Sequence, residues 1–259
     1  MASHNGSAED LRIPPVFWGL QHNPEAAAVL RTLVATASPG DARNPWFIAD
    51  NLITFGHTRG FLTDPRFVAA VTAESPSAHE LASVWRTHTL CWAAESALAV
   101  PGDFVECGTY QGYSMSVVLR YLDDLRGRRC YLYDVFDPSG LEVEGARLPA
   151  HAPELFEQVR ARFRRWDNVV VTRGLVPEAL TAVAPDHIAF LHLDMNNAQA
   201  EADALGVLFK RVSTGGMIVF DDYGWTGDRA QKSAADAFMQ SRGLAVLELP
   251  TGRGLVIKR

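Results

Sequence analysis

Hydrophobic and polar positions divide the chain into two stretches with different periodicity. From Ile13 to Val100, apolar residues recur at helical spacing without strand alternation, and prolines interrupt the pattern several times. A clear helical pattern runs from His79 to Val100 and leads directly into the first strand. From Asp103 onward, short apolar runs alternate with helical patterns, which predicts a parallel sheet covered by helices.

Five apolar runs in the second stretch predict parallel strands at residues 104–106, 129–134, 169–171, 187–194 and 217–220. Helical patterns separate or follow them at residues 153–165, 198–212 and 229–242. Two last runs, at 245–249 and 254–258, are joined by so short a turn that they must be antiparallel. We predict an α/β, Rossmann-like fold with parallel strands closed by an antiparallel C-terminal hairpin. Three segments follow: a disordered tail at 1–12, an N-terminal helical cap at 13–100 and a sheet domain at 101–259.

Composition narrows the classes of protein that fit this pattern. With 259 residues, 47% hydrophobic and 21% charged, the chain is long enough for a full core. A net charge of −6 and a pI near 5.7 argue against a nucleic-acid partner. Three widely spaced cysteines without a CxxC pair indicate reduced thiols in a cytoplasmic protein. No apolar stretch reaches the ~18 residues that a membrane span needs, so we expect a soluble protein without a membrane partner.

The turn after the first predicted strand holds candidate ligand-binding residues. Glu106 ends the strand, Gly108 and Gly112 follow four residues apart, and a helix opens near Gly112 and Ser114. Such a corner directs backbone N–H groups into the crevice at the strand ends, and glycine permits the close approach of a ligand. The spacing differs from the GxGxxG of dinucleotide sites. An acid before the first glycine favours a ligand with an ammonium group.

Acids also end other predicted strands. Asp134 ends the second, Asp194 the fourth, and Asp221 and Asp222 the fifth, whereas the third delivers Gly174. Ligands bind outside the carboxyl ends of the strands in such sheets, and a core has no use for clustered acids. The last three acids predict an all-oxygen site suited to Mg²⁺ or Ca²⁺. The alternative, acids that cap the following helices, accounts for one or two of them.

Several of these segments resemble one known family. The form E-x-G-x-x-x-G-x-S at residues 106–114 resembles the first motif of class I S-adenosylmethionine (SAM) methyltransferases. It is similar in particular to the macrocin O-methyltransferase group, which tailors macrolide and aminocoumarin natural products. The segments LHLD at 191–194 and GGMIVFDDYG at 215–224 resemble the same group. The resemblance covers roughly residues 80–259, and class I methyltransferases share the predicted sheet with its closing hairpin.

The resemblance implies SAM as cofactor, Mg²⁺ as metal, and a role for each motif residue. Asp134 would accept hydrogen bonds from the ribose hydroxyls, although an Asx-turn or helix cap also explains an Asp there. Glu106 would act on the methionine end of SAM, and Ser114 with the N–H groups of Thr109 and Tyr110 would hold its carboxylate. The implied metal ligands are Asp194, Asp221 and Asp222. The implied cofactor-binding residues are Glu106, Gly108, Thr109, Tyr110, Gly112, Ser114, Asp134 and Gly174.

The general base is where the sequence departs from the family pattern. Some members carry a second Asp two residues after the metal-binding Asp, and related catechol-type enzymes use a Lys three residues after it. Here those positions are Asn196 and Asn197, and Asn does not accept a proton near neutral pH. Either the metal alone acidifies the hydroxyl at Asp194, or the base comes from elsewhere. The candidates are His192, His151 and His57, since histidine titrates in the required range.

Two further segments are candidates for contact with the acceptor. The loop 137–153 is long enough to form a lid over substrate. In the cap, four aromatic residues either line a substrate pocket or form the cap's own core: Trp46, Phe47, Phe55 and Phe61. The apolar helices of the cap also predict a homo-oligomer.

We therefore predict a SAM-dependent, metal-assisted O-methyltransferase that acts on a hydroxyl of a small-molecule, natural-product-like acceptor. The mechanism would be direct displacement at the sulfonium methyl group. Two alternatives stay open. One is a SAM-binding protein or methyltransferase without metal-dependent chemistry, for which Asn196 and Asn197 are the motivating feature. The other is an NAD(P)-dependent oxidoreductase, against which the missing GxGxxG and Tyr-x-x-x-Lys motifs count.

Overall fold

The computed structural model describes residues 11, 13–36, 46–136 and 151–259. The predicted tail, except residue 11, and positions 137–150 of the predicted lid therefore lie outside the described residues. The chain divides into two compact units, Met1–His88 and Thr89–Arg259. In the described part of the chain, no helix combines the length and the apolar character needed to cross a lipid bilayer.

The first unit contains helices and one β-hairpin. Its elements are α1 (Pro24–Thr36), β1 (Trp46–Ala49), β2 (Leu52–Phe55), α2 (Pro65–Thr72), α3 (Ala78–Ala82) and the start of α4 (Val84–Ala97). The hairpin differs from the helical cap without strand alternation that the sequence predicts over residues 13–100. Asp50 and Asn51 between its strands have φ angles of 53° and 56°, as two-residue hairpin turns require. Four-residue strands are too short for their alternation to be recognised in the sequence.

Aromatic rings and one ion pair stabilise this unit. Phe47 and Phe61 both contact the ring of Trp85, with centroids 4.9 and 5.1 Å away, and both are buried. They therefore belong to the core of the unit. Trp46 and Phe55 pack on each other across the hairpin. The Arg86 guanidinium forms a buried ion pair with Asp50 at 2.8 Å, and Trp18 Nε1 donates to the same carboxylate.

The second unit is built on a seven-stranded sheet. Its strands are β3 (Asp103–Cys107), β4 (Cys130–Asp134), β5 (Val169–Arg173), β6 (Ile188–Leu193), β7 (Val212–Phe220), β8 (Leu247–Glu248) and β9 (Gly254–Ile257). Their spatial order is β5-β4-β3-β6-β7-β9-β8. The first five pair in parallel, β9 pairs antiparallel with β7, and β8 pairs antiparallel with β9. The predicted fold class is confirmed.

Helices connect these strands, as a parallel sheet requires. They are α5 (Tyr113–Leu122), α6 (Leu155–Phe163), α7 (Glu178–Ala182), α8 (Ala198–Leu208) and α9 (Arg229–Gln240). Every residue of β4 and of β6 is buried, which is typical of central strands covered on both faces. Two of these buried residues carry a carboxyl group or an imidazole, Asp134 at the end of β4 and His192 within β6.

Strand register brings the polar residues of the strand ends together. Glu106 on β3 pairs with His192 on β6, and His192 pairs in turn with Val219 on β7. Side chains alternate between faces along a strand, so Asp221, two residues after Val219, lies on the same face as Glu106 and His192. Phe220 pairs with Gly254 in the antiparallel ladder. The next position along the ladder places Arg253 opposite Asp221. Four neighbouring strands thus deliver one charged residue each to one face.

Candidate active site

The four charged side chains form a continuous buried chain across the strand ends. His192 Nδ1 lies 2.9 Å from Glu106 Oε1, and His192 Nε2 lies 3.4 Å from Asp221 Oδ1. Arg253 donates from Nε to the same Asp221 oxygen at 2.7 Å, and its Nη2 also contacts that oxygen. All four side chains are less than a tenth exposed. The result is an alternation of acid, imidazole, acid and guanidinium.

Burial and neighbouring charges shift the pKa values in this chain. Desolvation by burial raises the pKa of Glu106, although the interaction with His192 opposes the shift. Burial by itself would lower the pKa of His192. The interactions with Asp221 and Glu106 outweigh burial and raise that pKa to about 9. The imidazole therefore carries a positive charge between two carboxyl groups near neutral pH.

Asp194 stands next to this chain at the end of β6. Its backbone N–H donates to Cys107 O at 2.8 Å, which holds the start of the turn against β3. Burial, followed by the charge of Asp221, raises the pKa of the Asp194 carboxyl well above its usual range. Among the described residues, one potential metal-binding group is present, with ligand atoms of His192, Asp194 and Asp221 all within 4.8 Å of one another.

The sequence predicted Asp194, Asp221 and Asp222 as metal ligands. The structure brings the first two together but not the third. Asp222 follows Asp221 in the chain and is partly buried, but its carboxylate does not belong to the 4.8 Å group. His192 lies within that group instead, but a charged imidazole has a proton on both nitrogens and is not a metal ligand, so Asp194 and Asp221 are the ligand candidates in the group. Two clustered carboxyl groups that repel each other favour a cation between them, so the residues present fit a divalent ion.

The glycine corner after β3 is shaped by close backbone packing. Gly108 has φ of 92°, and a Cβ there would lie 1.8 Å from the Asp194 carbonyl oxygen. Glycine is required here because the turn after β6 passes directly against it. The N–H groups of Gly108 and Thr109 both donate to Tyr133 O, and that of Tyr110 donates to Asp134 Oδ2. The N–H groups of Thr109 and Tyr110, which we expected to hold a ligand carboxylate, therefore already have partners within the chain.

The other corner residues lie at the start of α5 and at the end of β5. Gly112 caps α5 with φ of 79°, and a Cβ there would lie 2.5 Å from the Phe163 ring. Ser114 lies in the first turn of α5 and is partly buried. Gly174 donates its N–H to Asp134 O at 3.0 Å, which ties the end of β5 to the end of β4.

Asp134, the candidate ribose ligand, accepts three hydrogen bonds. Tyr110 N donates to Oδ2 at 2.6 Å, whereas Phe136 N donates to Oδ1 at 2.8 Å. His151 Nε2 also lies 3.0 Å from Oδ1, and the His151 ring stacks on Tyr110 with centroids 5.3 Å apart. His151, a candidate base in the sequence, thus lies against the candidate ribose ligand.

Comparison with known proteins identifies the family to which these features belong. A model of the family described as macrocin-O-methyltransferase (TylF) matches residues 76–247, more than half of the chain. The chain belongs to the macrocin O-methyltransferase family. It is therefore an enzyme that carries out SAM-dependent O-methyl transfer, as the resemblance in the sequence implied.

Individual relatives of this macrocin O-methyltransferase family member act on natural products. It is 34% identical over 182 residues to the 8-demethyl-8-(2,3-dimethoxy-alpha-L-rhamnosyl)-tetracenomycin-C 4'-O-methyltransferase of Streptomyces olivaceus, which covers 62% of this chain and 67% of the relative. It is 24% identical over 193 residues to the mycinamicin III 3''-O-methyltransferase of Micromonospora griseorubida. That match covers 64% of this chain and 75% of the relative. The solved O-methyltransferase NovP shares the fold, with a TM-score of 0.58 and 24% identity over 70% of this chain and 83% of that chain.

Two asparagines follow Asp194 at the positions where some members of the family place an Asp and related catechol-type enzymes a Lys. Asn197 caps α8, since its Oδ1 accepts from Ala200 N at 2.9 Å. Asn196 is exposed and adopts a left-handed φ of 52°, a conformation that Asn tolerates better than most residues. His57, another candidate base, lies exposed in the first unit after β2. The two asparagines therefore have local structural roles.

Sequence reasoning missed two residues that support the methyltransferase site, Arg253 and Glu201. Arg253 lies in the closing hairpin, where a single Arg between short apolar runs carries no motif. Glu201 on α8 is buried, and its Oε1 accepts from Gln231 Nε2 at 2.8 Å and from Met195 N at 3.4 Å. Burial raises the pKa of Glu201 to about 7. An acid within the first turn of a helix is ordinary in a sequence, so only the packing marks it.

Proposed function

We propose that this methyltransferase transfers the methyl group of SAM to a hydroxyl of a natural-product glycoside, assisted by a divalent metal ion. The observation that carries the proposal is the convergence of Glu106, His192, Asp194 and Asp221 at the ends of three adjacent strands. The acceptor class is supported by two relatives, named for O-methylation of a rhamnosyl-tetracenomycin and of mycinamicin III.

The cofactor site is proposed at the glycine corner and at the ends of β4 and β5. SAM supplies an electrophilic methyl group on a sulfonium. Asp134 would accept from the ribose, and Glu106, held by His192, would face the methionine end. Ser114 would bind the methionine carboxylate at the start of α5. The complete proposed set is Glu106, Gly108, Thr109, Tyr110, Gly112, Ser114, Asp134 and Gly174.

The metal ligands are proposed to be Asp194, Asp221 and Asp222, as the family motifs imply. Bound Mg²⁺ would lower the pKa of an acceptor hydroxyl and align its oxygen with the methyl group. Arg253 fixes the carboxylate of Asp221 from the side of the closing hairpin. Asp194 and Asp222 are partly exposed and are the carboxylates able to reach an incoming acceptor.

The proton of the acceptor hydroxyl also needs a destination. The His192 side chain is 0% exposed and cannot touch an acceptor, so we assign it the positioning of Glu106 and Asp221. Asp194 is the proposed proton acceptor, because it is partly exposed and adjoins the metal ligands. His151 contacts Asp134 and Tyr110, which places it beside the proposed ribose ligand.

The decisive experiment is methyl transfer to diol-containing glycosides, with and without EDTA. We expect turnover that EDTA abolishes and that added Mg²⁺ restores. Turnover insensitive to EDTA would refute the metal role while leaving the transferase function in place. Calorimetric titration with SAM and with NADH separates the remaining alternatives. Binding of NADH instead of SAM would indicate an oxidoreductase, and SAM binding without turnover on any glycoside would indicate a binding protein.

Variants at the strand ends test the assigned roles. Asp194→Asn and Asp222→Asn are each expected to lower kcat at least about 100-fold, because each removes a ligand or a proton acceptor. Asp186→Asn is the matched control, since Asp186 is exposed and precedes the other end of the same strand, β6. Equal loss of activity in all three variants would indicate a general folding defect instead of site chemistry.

Location and assembly are proposed from the three cysteines and from one exposed apolar helix. Cys91, Cys107 and Cys130 are buried and form no disulfide, which is consistent with the reducing cytoplasm. We also propose a homo-oligomer, because α1 is an apolar helix without a buried residue. Sedimentation velocity would test this, and a single species of 28.4 kDa would contradict it.

A further inference from the structure

His151 lies against Asp134, the proposed ribose ligand, and has no role in the transfer reaction itself. The carboxylate of Asp134 has about four acceptor positions, two on each oxygen. Oδ1 faces both Phe136 N and His151 Nε2, and Oδ2 faces Tyr110 N. One acceptor position therefore remains on this carboxylate. A ribose presents two neighbouring hydroxyl groups, so Asp134 in this arrangement can take only one of them.

The His151 ring holds a second acceptor next to this carboxylate. Its Nε2 faces a carboxylate oxygen and is therefore the nitrogen that carries the proton. In the neutral ring, Nδ1 is then an acceptor. The side chain is 7% exposed, and among the described residues no hydrogen-bond partner lies within reach of Nδ1. A buried acceptor without a partner is unfavourable unless a ligand supplies the donor.

Neighbouring elements hold this imidazole in place. Its ring stacks on Tyr110, whose backbone has a left-handed φ of 48° and whose N–H also binds Asp134. Just beyond it, Leu155 N donates to Ala152 O at 2.9 Å at the start of α6. The orientation of the ring is therefore set before a ligand arrives.

We propose that His151 is a cofactor-binding residue that accepts a hydrogen bond from one ribose hydroxyl through Nδ1, while Asp134 accepts from the other. This inference rests on the proposed SAM site and deepens it. It moves His151 from the candidate bases to the group that recognises the adenosine. The cis-diol of the nucleoside is bound by an acid and an imidazole instead of by a carboxylate alone.

The test combines variants of His151 with ligands that lack one hydroxyl. The probes are S-adenosylhomocysteine and its 2′-deoxy and 3′-deoxy forms, titrated by calorimetry. For the wild type, we expect both deoxy forms to bind more weakly, one because it lacks the bond to Asp134 and the other, about tenfold, because it lacks the bond to Nδ1. In His151→Phe, which keeps a ring to stack on Tyr110, the intact ligand should bind about tenfold more weakly, and the deoxy form that lacks the bond to Nδ1 should lose nothing further.

Two more variants separate binding from structure. His151→Asn places an amide oxygen near the position of Nδ1 and should restore part of the sensitivity to loss of the hydroxyl that Nδ1 binds. His187→Phe replaces an exposed histidine before β6 and should behave as the wild type in every titration. A purely structural role for His151 would weaken all three ligands equally and leave both deoxy effects intact, which would overturn the inference.

Failure of this inference is distinguishable from failure of the proposed function. If the wild type binds S-adenosylhomocysteine and both deoxy effects persist in His151→Phe, only the role of His151 is wrong. If the wild type does not bind S-adenosylhomocysteine at all, the SAM site itself is wrong and the inference falls with it. Thermal unfolding of each variant identifies any that do not fold.

Discussion

At the scale of single residues, Gly108 marks a close approach between the end of β3 and the turn after β6. Its φ of 92° is left-handed, and a Cβ would meet the carbonyl carbon and oxygen of Asp194 at 2.4 and 1.8 Å. Gly127 has a similar φ of 78°, but no atom lies within 4 Å of its Cβ position. The two glycines thus differ in packing and share backbone conformation.

Gly108→Ala should destabilise the protein far more than Gly127→Ala. The left-handed backbone costs either variant about 1–2 kcal/mol. The clash with Asp194 adds about 1–3 kcal/mol for Gly108→Ala alone. Urea unfolding of both variants measures the difference. Equal losses would show that the turn after β6 moves away freely, and that close packing does not require this glycine.

Glu201 makes stability depend on pH. The usual pKa of a glutamate is 4.5, and burial raises that of Glu201 to about 7 in the folded protein. The folded state therefore binds the proton of Glu201 more tightly than the unfolded state does. The stabilisation that this proton gives the folded state is lost as pH rises from 4.5 through 7. In Glu201→Gln, the amide oxygen can accept from both Gln231 and Met195, and the side chain does not titrate.

We expect Glu201→Gln to equal the wild type in stability near pH 4.5 and to exceed it by roughly 2–3 kcal/mol at pH 8. Denaturant unfolding at both pH values provides the measurement. The control is Glu157→Gln on α6, whose side chain is 69% exposed. It should show no comparable difference between the two pH values. A pH-independent effect of Glu201→Gln would contradict the assigned cause.

At the scale of elements, the closing hairpin is attached to the parallel sheet by charge as well as by backbone hydrogen bonds. Arg253, next to β9, reaches Asp221, next to β7, and both are buried. A second ion pair in this region, Lys232 with Glu248, has a similar distance of 3.0 Å but is much more exposed. The two pairs therefore allow a matched comparison of burial.

Arg253→Leu should cost about 3–5 kcal/mol, because it leaves the Asp221 carboxylate buried without its guanidinium. Lys232→Met should cost less than about 1 kcal/mol, as is usual for an exposed pair. The double variant Asp221→Leu with Arg253→Leu should lose less than the sum of the single variants. Additive losses, measured by urea unfolding, would show that the pair does not interact in the folded protein.

At the scale of the whole molecule, a ligand of the second unit should stabilise the folded chain. Binding to the folded state alone adds about 2.7 kcal/mol at a ligand concentration 100 times Kd. For a chain of this size, we expect S-adenosylhomocysteine to raise Tm by about 5–10 °C. NADH at the same concentration is the control and should leave Tm unchanged. A shift with NADH alone would contradict the proposed cofactor.

Much of the second unit was predictable because a parallel sheet has a strong local signal. Buried central strands appear as apolar runs, and turn residues mark where they end. The acids Glu106, Asp134, Asp194 and Asp221 follow those runs directly, so their meeting at one edge follows from topology. The hairpin of the first unit was missed because its strands of four residues carry too little alternation to be recognised.

Sequence alone determined the order of strands and helices, the glycine corner and the acids at the strand ends, because each depends on a local pattern. Only the tertiary structure decided which side chains meet. Three contacts join residues that are far apart in the chain: Glu106 with His192, Arg253 with Asp221, and His151 with Asp134. Such contacts depend on register and on packing between elements, and no local pattern of apolar and polar residues encodes them.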